Sequence, residues 1–460
     1  MKLGYLSAFG VFGYMEIACS FFPDLTFLTG INGAGKTTAL RLISALLRPS
    51  LKDLDLIPHT RAMLHISDEN GKPIVISSSS GPEGTRISIE HIKEDLFYTN
   101  LDPRSYRLRN RPEERVEEHY SILEERFSDH PVLNFLRNEV RTPVFLGLDR
   151  KNTYLASSAL DSQSYARDPG RLRMTGDRYA WEQANASGLA DVQAMLLNEV
   201  RRVRERSDRS AEKLRTDILL SAFEFNEFED LWHFDSNLQR VQVSKELLGR
   251  RERIEVGLSG LGIEKEKYSP MLERYFGKIE ELASPIPFMK EPEEREKAEI
   301  GQVIKLMASR PIVDRMVKLV EMLDKHSSHV AGLWRHVSRF TELANRFLRD
   351  TGKELSIDTV GRLEVKIQNG EKRPISVLSS GERQIVVMLG YLTVAMKTAS
   401  KGIFIVDEPE LSLHLRWQEK FVETMREASP NAQLIMATHS PAIVMDMDRN
   451  CVDIRGGRRG

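Results

Sequence analysis

The sequence predicts an α/β protein with a mixed, largely parallel sheet, an antiparallel sheet at its edge, and a long helical insertion. Three observations predict it. A glycine-rich turn, Gly30-Ile31-Asn32-Gly33-Ala34-Gly35, separates an apolar run at 25–28 from a helical pattern that starts at Lys36 and runs to about Leu47. From 381 onward, helical periodicity alternates with short continuous apolar runs, the order that a parallel sheet with helices on its faces requires. Between 186 and 349 strand signals nearly vanish, and apolar residues recur at spacings of three and four. The chain has 460 residues, more than one core usually fills. The expected division is 1–150 and 354–460 for the two halves of the α/β unit and 151–353 for the helical insertion.

In chain order, 3–9 and 14–22 read as strands joined by a turn around Gly10 and Gly13. Strand-like pieces at 61–66, 73–77 and 85–89 are separated by Asn70-Gly71 and Gly81-Pro82, both strong turn signals, and predict a small antiparallel sheet. The arginine-rich run at 100–115 reads as a solvated loop balanced by Glu113, Glu114, Glu117 and Glu118, with a phosphate grip as the alternative. A short apolar run at 143–148 predicts a buried strand.

In the insertion, Val192, Met195, Leu196 and Val203, and again Ile312, Met316, Leu319, Val320 and Leu323, fall on helical faces. Breaks are expected at 257–262 and 285–287, and the repeats are too irregular for a long coiled coil. Arg201, Arg202, Arg204, Arg206, Arg209, Lys213 and Arg215 are interspersed with Glu199, Glu205, Asp208 and Glu212. That mixture reads as a salt-bridged solvent face, with a DNA or partner surface left open. Strands at 355–357 and 362–368, a helix at 381–396, a strand at 403–406, a helix at 415–428 and a strand at 434–437 complete the pattern. The arginine and glycine tail at 455–460 is expected to fray.

The 66 basic and 67 acidic residues nearly cancel, so any contact with nucleic acid or an anionic surface must come from a local patch. Cys19 and Cys451, far apart, suggest buried apolar residues in a reducing compartment and no disulfide framework. No run approaches the ~20 apolar residues of a spanning helix, and no signal-type block opens the chain. The expectation is a soluble cytoplasmic protein with no membrane partner.

Gly30 to Thr37 fits G-x-x-x-x-G-K-[ST] with the strand before it and the helix after it that a phosphate-binding loop needs. Glycines let successive backbone N–H groups turn inward toward phosphate oxygens, and the helix adds its positive end. Asn32, Gly33, Ala34, Gly35, Lys36, Thr37 and Thr38 are the expected nucleotide contacts, with Lys36 on the β/γ-phosphates and Thr37 on Mg²⁺. The apolar run Ile403-Phe404-Ile405-Val406 ends in Asp407 and Glu408. A strand buried on both faces with acids at its carboxyl end places Asp407 on Mg²⁺ and Glu408 on the attacking water. Ser379 followed by Glu382 is a helix capping box in its own right.

The order of motifs adds a resemblance. Leu378-Ser379-Ser380-Gly381-Glu382-Arg383-Gln384 precedes the acidic strand, and Thr438-His439-Ser440-Pro441 follows the next one. This resembles an ABC-type ATPase head, whose signature sequence and switch histidine stand at those places. Asp407-Glu408-Pro409-Glu410-Leu411-Ser412-Leu413-His414, with Gln418 beyond it, looks like the SMC/RecF/OLD-like branch. The resemblance implies ATP and Mg²⁺ as cofactors, Glu408, His439 and Lys36 as catalytic residues, and Ser379 and Gly381, with Glu382 beside them, reaching the nucleotide of a second copy. ATP sandwiched between paired heads then makes the protein a homo-oligomer.

Asp149-Arg150 occupies the neighbourhood of the lid glutamine of these enzymes. Phe12 or Tyr14 could cover the adenine, with core packing the preferred role for both. The chain looks most like ATPase subunits of bacterial anti-phage systems such as PARIS and Septu, which implies a separately encoded nuclease effector and a DNA or phage-protein trigger. After His439 the chain is too short for a nuclease domain of its own. A RecF-like DNA-repair ATPase is the alternative.

Overall fold

The computed structural model describes residues 1–101, 112–147, 188–222, 251–260, 264–283, 292–398 and 402–454. Most of the arginine-rich run at 100–115, the Asp149-Arg150 pair and the tail at 455–460 lie outside the described residues. The chain forms two compact units, one made of Met1–Glu199 with His336–Gly460 and the other of Val200–Arg335.

The first unit opens with β1 (Lys2–Val11), β2 (Met15–Ser20), β3 (Leu25–Thr29), α1 (Lys36–Leu46) and α2 (Leu51–Asp55). Then come β4 (Arg61–Ser67), β5 (Pro73–Gly81), β6 (Gly84–Ile89), β7 (Leu96–Tyr98), α3 (Pro112–Arg126), α4 (Pro131–Asn138) and β8 (Val144–Leu146). The helices α5 (Leu189–Ala222), α6 (Arg251–Gly260), α7 (Lys265–Ala283) and α8 (Pro292–Leu348) follow. The chain returns through β9 (Lys353–Ile357), β10 (Leu363–Ile367), β11 (Lys372–Pro374), α9 (Ser380–Thr393), β12 (Ile403–Asp407), α10 (Leu415–Ala428), β13 (Gln433–Ala437), α11 (Pro441–Val444) and β14 (Cys451–Asp453).

Three sheets result among the described residues. The antiparallel one is larger than the predicted edge sheet, with order β2-β1-β4-β5-β6-β7, because the first two strands join it. The second, β14-β3-β13-β12-β8, is parallel throughout. The third, β11-β10-β9, is a small antiparallel meander. Strands β7, β11 and β14 escaped the sequence because each is three residues long and carries no alternation of its own.

Every residue of β12 and β13 is buried, as a continuous apolar run predicts for a sheet covered on both faces. Alternation assigns the two faces. Ile403, Ile405, Ile435 and Ala437 share a core with Leu40, Leu42, Ile43 and Leu46 of α1. Phe404, Val406, Leu434 and Met436 share another with Ile385, Val386, Leu389 and Leu392 of α9 and Phe421 and Met425 of α10. Helices α1 and α9 therefore cover opposite faces of the same sheet. The fully buried Gln433 joins the two large sheets, accepting from Leu3 N–H at 2.7 Å and donating to the carbonyls of Leu3 at 2.9 Å and Phe22 at 2.8 Å.

Both cysteines are buried and neither forms a disulfide; burial pushes the Cys19 thiol up to about 12. No described helix is long and apolar enough to cross a membrane.

In the second unit, Leu214, Ile254, Tyr268, Leu272, Phe276, Val320 and Leu323 form a small core from α5, α6, α7 and α8. Gly257 does not break the chain as its sequence position suggested. It lies inside α6, where a Cβ would stand 3.2 Å from Leu323 Cδ2, so the glycine allows close packing on α8. Residues 261–263 and 284–291, which hold the rest of the two expected breaks, lie outside the described residues.

One buried polar cluster gives the first unit a pH dependence. The Asp55 carboxylate accepts from Tyr120 Oη at 2.6 Å, Tyr98 Oη at 3.0 Å and Thr85 Oγ1 at 3.0 Å. Nearby, His59 Nδ1–H donates to the Ile57 carbonyl at 2.7 Å, and its Nε2 accepts from Ser78 Oγ at 3.0 Å. Burial holds His59 below its ordinary value of 6.5, against the Ile57 bond and the Asp55 charge. Below 6.5 the unfolded chain takes up a proton that the folded one refuses, so this contribution to stability is lost as pH falls through the folded value. Burial raises Asp55 above its ordinary 3.8, and its contribution has the opposite sign. Urea midpoints at pH 7.5 and 5.5 are expected to drop in the wild type and to drop less in His59→Gln. An equal drop would remove His59 from this role.

Candidate nucleotide site

The parallel sheet brings the predicted site residues to one edge. Asp407 pairs with Ala437 and Ala437 with Leu28, so β12, β13 and β3 end level with one another. What leaves their carboxyl ends is the glycine loop after β3, Asp407-Glu408 after β12 and Thr438-His439 after β13.

The loop owes its path to glycines. Gly30, Gly33 and Gly35 have φ of 146°, 80° and 97°, a region that costs L-residues strain. Gly35 is doubly constrained, since a Cβ there would lie 2.4 Å from Met15 Sδ on β2. Asn32 and Gly33 are exposed, Ala34 is buried, and Thr37 and Thr38 are half-buried on the first turn of α1. Gly35 caps α1 in a left-handed conformation, and among the described residues no side-chain cap bond satisfies the opening N–H groups. An uncapped helix start beside a buried lysine is a donor set suited to a polyphosphate, so the residues present fit that ligand.

Lys36 is 7% exposed. Its ammonium donates to the Gly30 carbonyl at 3.0 Å and the Ile31 carbonyl at 3.3 Å, and meets His439 Nε2 at 2.5 Å. An ammonium that donates to Nε2 requires that nitrogen to carry no proton. Burial lowers the Lys36 pKa below 10.5, while the charges of Glu408, Asp407 and Glu410 act to raise it. The site is thus one buried cation facing three carboxylates. Asp407 is 1% exposed at the end of β12. Glu408 is half-buried with φ 48°, its N–H donating to the Ala437 carbonyl at 2.8 Å. A glutamate in the left-handed region is strained backbone of the kind that clusters where a side chain must be aimed.

Sequence reasoning quoted Glu410, Gln384 and Gln418 but gave them no role; the structure makes them the ties of the site. Glu410 accepts from Thr438 Oγ1 at 2.9 Å and from His439 N–H at 2.7 Å, fixing the loop after β13 to the loop after β12. Ser440 Oγ donates to Gln418 Oε1 at 2.6 Å, and Gln418 Nε2 donates to the Leu413 carbonyl at 2.8 Å. Gln384 Nε2 donates to the Pro409 carbonyl at 2.8 Å. The signal that could have found Glu410 is a third acid just past a strand that already ends in two.

Ser379 and Glu382 form the capping box: Ser379 N–H donates to Glu382 Oε2 at 2.6 Å, and Ser379 Oγ accepts from Glu382 N–H at 3.4 Å. Glu382, 1% exposed, also accepts from Lys353 Nζ at 2.8 Å and Thr351 Oγ1 at 2.6 Å. Burial alone would raise its pKa, and these bonds bring it below the ordinary value. Its oxygens are thus engaged within its own chain. Gly381 is buried, and a Cβ there would lie 2.4 Å from the Ser412 carbonyl oxygen, whereas Ser379 is exposed. His414 caps α10, accepting from Arg416 N–H at 3.3 Å. Phe12 and Tyr14 do not pack in the core, as the sequence suggested; they are 47% and 79% exposed at the turn between β1 and β2, where Phe12 has φ 52°.

Against known proteins, the chain is 32% identical over 93 residues to the Retron Vc95 probable ATPase of Vibrio cholerae serotype O1 biovar El Tor, covering 20% of this chain and 16% of that protein. It is 41% identical over 44 residues to the Septu protein PtuA of Bacillus thuringiensis, covering 10% and 11%. These matches span a sixth or less of the relatives' own length. The Smc head domain of Pyrococcus furiosus, solved with an extended coiled coil and bound to the C-terminal domain of ScpA, aligns over 96% of this chain and 91% of that one, at 12% identity and a TM-score of 0.39. The Smc head of Pyrococcus yayanosii, solved with a coiled coil and joint, aligns over 96% and 93%, at 14% identity and a TM-score of 0.39. A family model covers residues 25–446, which takes in the glycine loop, the capping box, the acidic strand and His439: the chain belongs to the ATPase-domain family described as "AAA domain, putative AbiEii toxin, Type IV TA system".

Proposed function

We propose that this protein binds and hydrolyses ATP, that two copies pair with ATP between them, and that the pair regulates a separately encoded nuclease in defence against phage. The observation that carries the first part is the meeting of Lys36, Asp407, Glu408, Glu410 and His439 at one edge of the parallel sheet.

The geometry supports the following roles. Backbone N–H groups of Asn32 to Thr38 and the Lys36 ammonium hold the phosphates. Lys36 exchanges the Gly30 and Ile31 carbonyls for phosphate oxygens, a stronger, charge-assisted partner. Thr37 and Asp407 would hold Mg²⁺, which would supply charge neutralisation for the phosphates. Glu408, aimed by its left-handed backbone, orients the attacking water and accepts its proton. His439, held from behind by Glu410 through its own N–H, faces the terminal phosphate.

The pairing rests on the sheet. Helix α1 begins at Lys36 on one face of the sheet, and α9 begins at Ser379 on the other. Ser379 is exposed and Gly381 lies against the Ser412 backbone, so the start of α9 is shaped as a surface and is tied through Gln384 to the loop carrying Glu408. That arrangement supports a site completed by a second copy, with the Ser379 hydroxyl and the Gly381 backbone reaching the partner's nucleotide. The similarity to a retron ATPase and to the Septu protein PtuA supports the defence reading.

Ser379→Arg tests the pairing. The side chain is exposed, so the fold and ATP binding are expected to persist, while ATP-dependent dimers disappear from light scattering. Dimers that persist would remove α9 from the interface.

A further inference from the structure

We propose that Met15 is an oxidative modification site, and that converting its thioether to the sulfoxide with a peroxide reversibly disarranges the glycine loop and weakens nucleotide binding. The chemistry at sulfur is independent of the proposed ATP reading; the effect on affinity rests on it. Met15 opens β2, is half-buried, and packs on the core to which α1 contributes. Its sulfur lies so close to Gly35 that a Cβ at that glycine would overlap Sδ and stand 3.4 Å from Cε. Gly35 in turn has φ 97° and caps α1, so the thioether is packed on the residue that turns the loop into the helix. A small oxidant reaches it through the hairpin tip, where Phe12, Gly13 and Tyr14, just before Met15, are exposed.

The step transfers one oxygen atom. A lone pair of Sδ attacks a peroxide oxygen, the S–O bond forms as the O–O bond breaks, and hydrogen peroxide is reduced to water while the sulfur is oxidised by two electrons. A polar, chiral group then stands where an apolar one was packed. An oxygen on the side of Gly35 enters a contact that has no room for a methyl group. An oxygen on the side of the core is a polar atom beside Val11, the buried cross-strand neighbour of Met15. Either epimer loosens the contact that fixes Gly35, and the loop N–H groups lose the alignment that phosphate oxygens need. Cys19, on the same strand, is no easier target, because burial pushes its thiol up to about 12 and leaves it almost no thiolate.

The test treats the full chain with hydrogen peroxide, with and without later repair by the two methionine sulfoxide reductases, one for each epimer. Peptide mass spectrometry follows the added oxygen on Met15, hydrogen exchange follows the amides of 33–38 without nucleotide, and titration follows ATP affinity. Met15→Leu keeps an apolar side chain against Gly35 and has no sulfur to oxidise; each protein is compared with its own untreated sample. In the wild type, oxidation of Met15 is expected to speed exchange at 33–38 and to weaken ATP binding by about tenfold or more, the scale of one polar group left without a partner at a packed contact. The reductases should reverse both changes, and Met15→Leu should show neither. Met15→Gln, polar and of similar length, should show the fast exchange with no oxidant. Exchange is read without nucleotide, so a chain that bound no ATP would sink the ATP reading alone, and exchange would still decide this one. Met15 left intact while the exposed Met271 and Met445 are converted, a Met15 sulfoxide with unchanged exchange, or equal changes in the wild type and Met15→Leu would each overturn the proposal.

Discussion

Lys36→Ala is expected to lower ATP affinity by about 100-fold or more while leaving the fold as stable as before. A charge-assisted contact to phosphate is worth about 1.5–3 kcal/mol, and Lys36 is placed to make more than one. The stability half of the expectation comes from burial. Lys36 is 7% exposed, and burial lowers its pKa even though three carboxylates face it. A group whose folded pKa is depressed below its unfolded value loses more by desolvation than the facing charges return, so deleting it is not expected to lower net stability. Isothermal titration with ATP and a thermal melt read the two halves separately. Unchanged affinity would mean that the loop does not hold the phosphates; lost affinity together with a collapsed melting temperature would mean that Lys36 is a structural tie of Gly30, Ile31 and His439.

Glu408→Gln is expected to cut turnover by about 100-fold or more, the range for losing a general base, with ATP still bound. The amide has the carboxylate's shape, and the backbone strain at φ 48° and the bond from its N–H to Ala437 are unaltered. What it cannot do is accept the proton of the attacking water. ATP-dependent dimers are therefore expected to accumulate and persist in this variant. Phosphate release at the wild-type rate would take Glu408 out of the proposed chemistry and leave the protein a nucleotide-gated scaffold.

Legibility in the sequence followed the strength of local signals. The strands around 25–28, 403–406 and 434–437 are continuous apolar runs because both faces of the parallel sheet are covered, and their ends could be read to within a residue. The helix at 415–428 has its bounds set by a His414 cap and a clear amphipathic pattern. The extent of the antiparallel sheet was hidden because the pairing of β1 with β4 joins segments more than fifty residues apart, and no local pattern encodes a partner. The exposure of Phe12 and Tyr14 was hidden for a related reason, since an aromatic at a hairpin tip looks like a core residue until the chain beyond it is in place. The unbroken helix through Gly257 depends on where Leu323 happens to lie.

By itself the sequence determined the residue types of the site and their order along the chain: a glycine loop ending in Lys36-Thr37, a capping box at Ser379, two acids closing a buried strand, and a histidine after the next. Each is a local feature, fixed by backbone preference and by the polarity of a few neighbours. Only the tertiary structure decided that three strand ends stand level, that Lys36 meets His439, and that Glu410 holds the loop behind that histidine. It also put α1 and α9 on opposite faces of one sheet. These are relations between residues distant in the chain, or between sides of one element, and they exist only once apolar burial has chosen which faces turn inward.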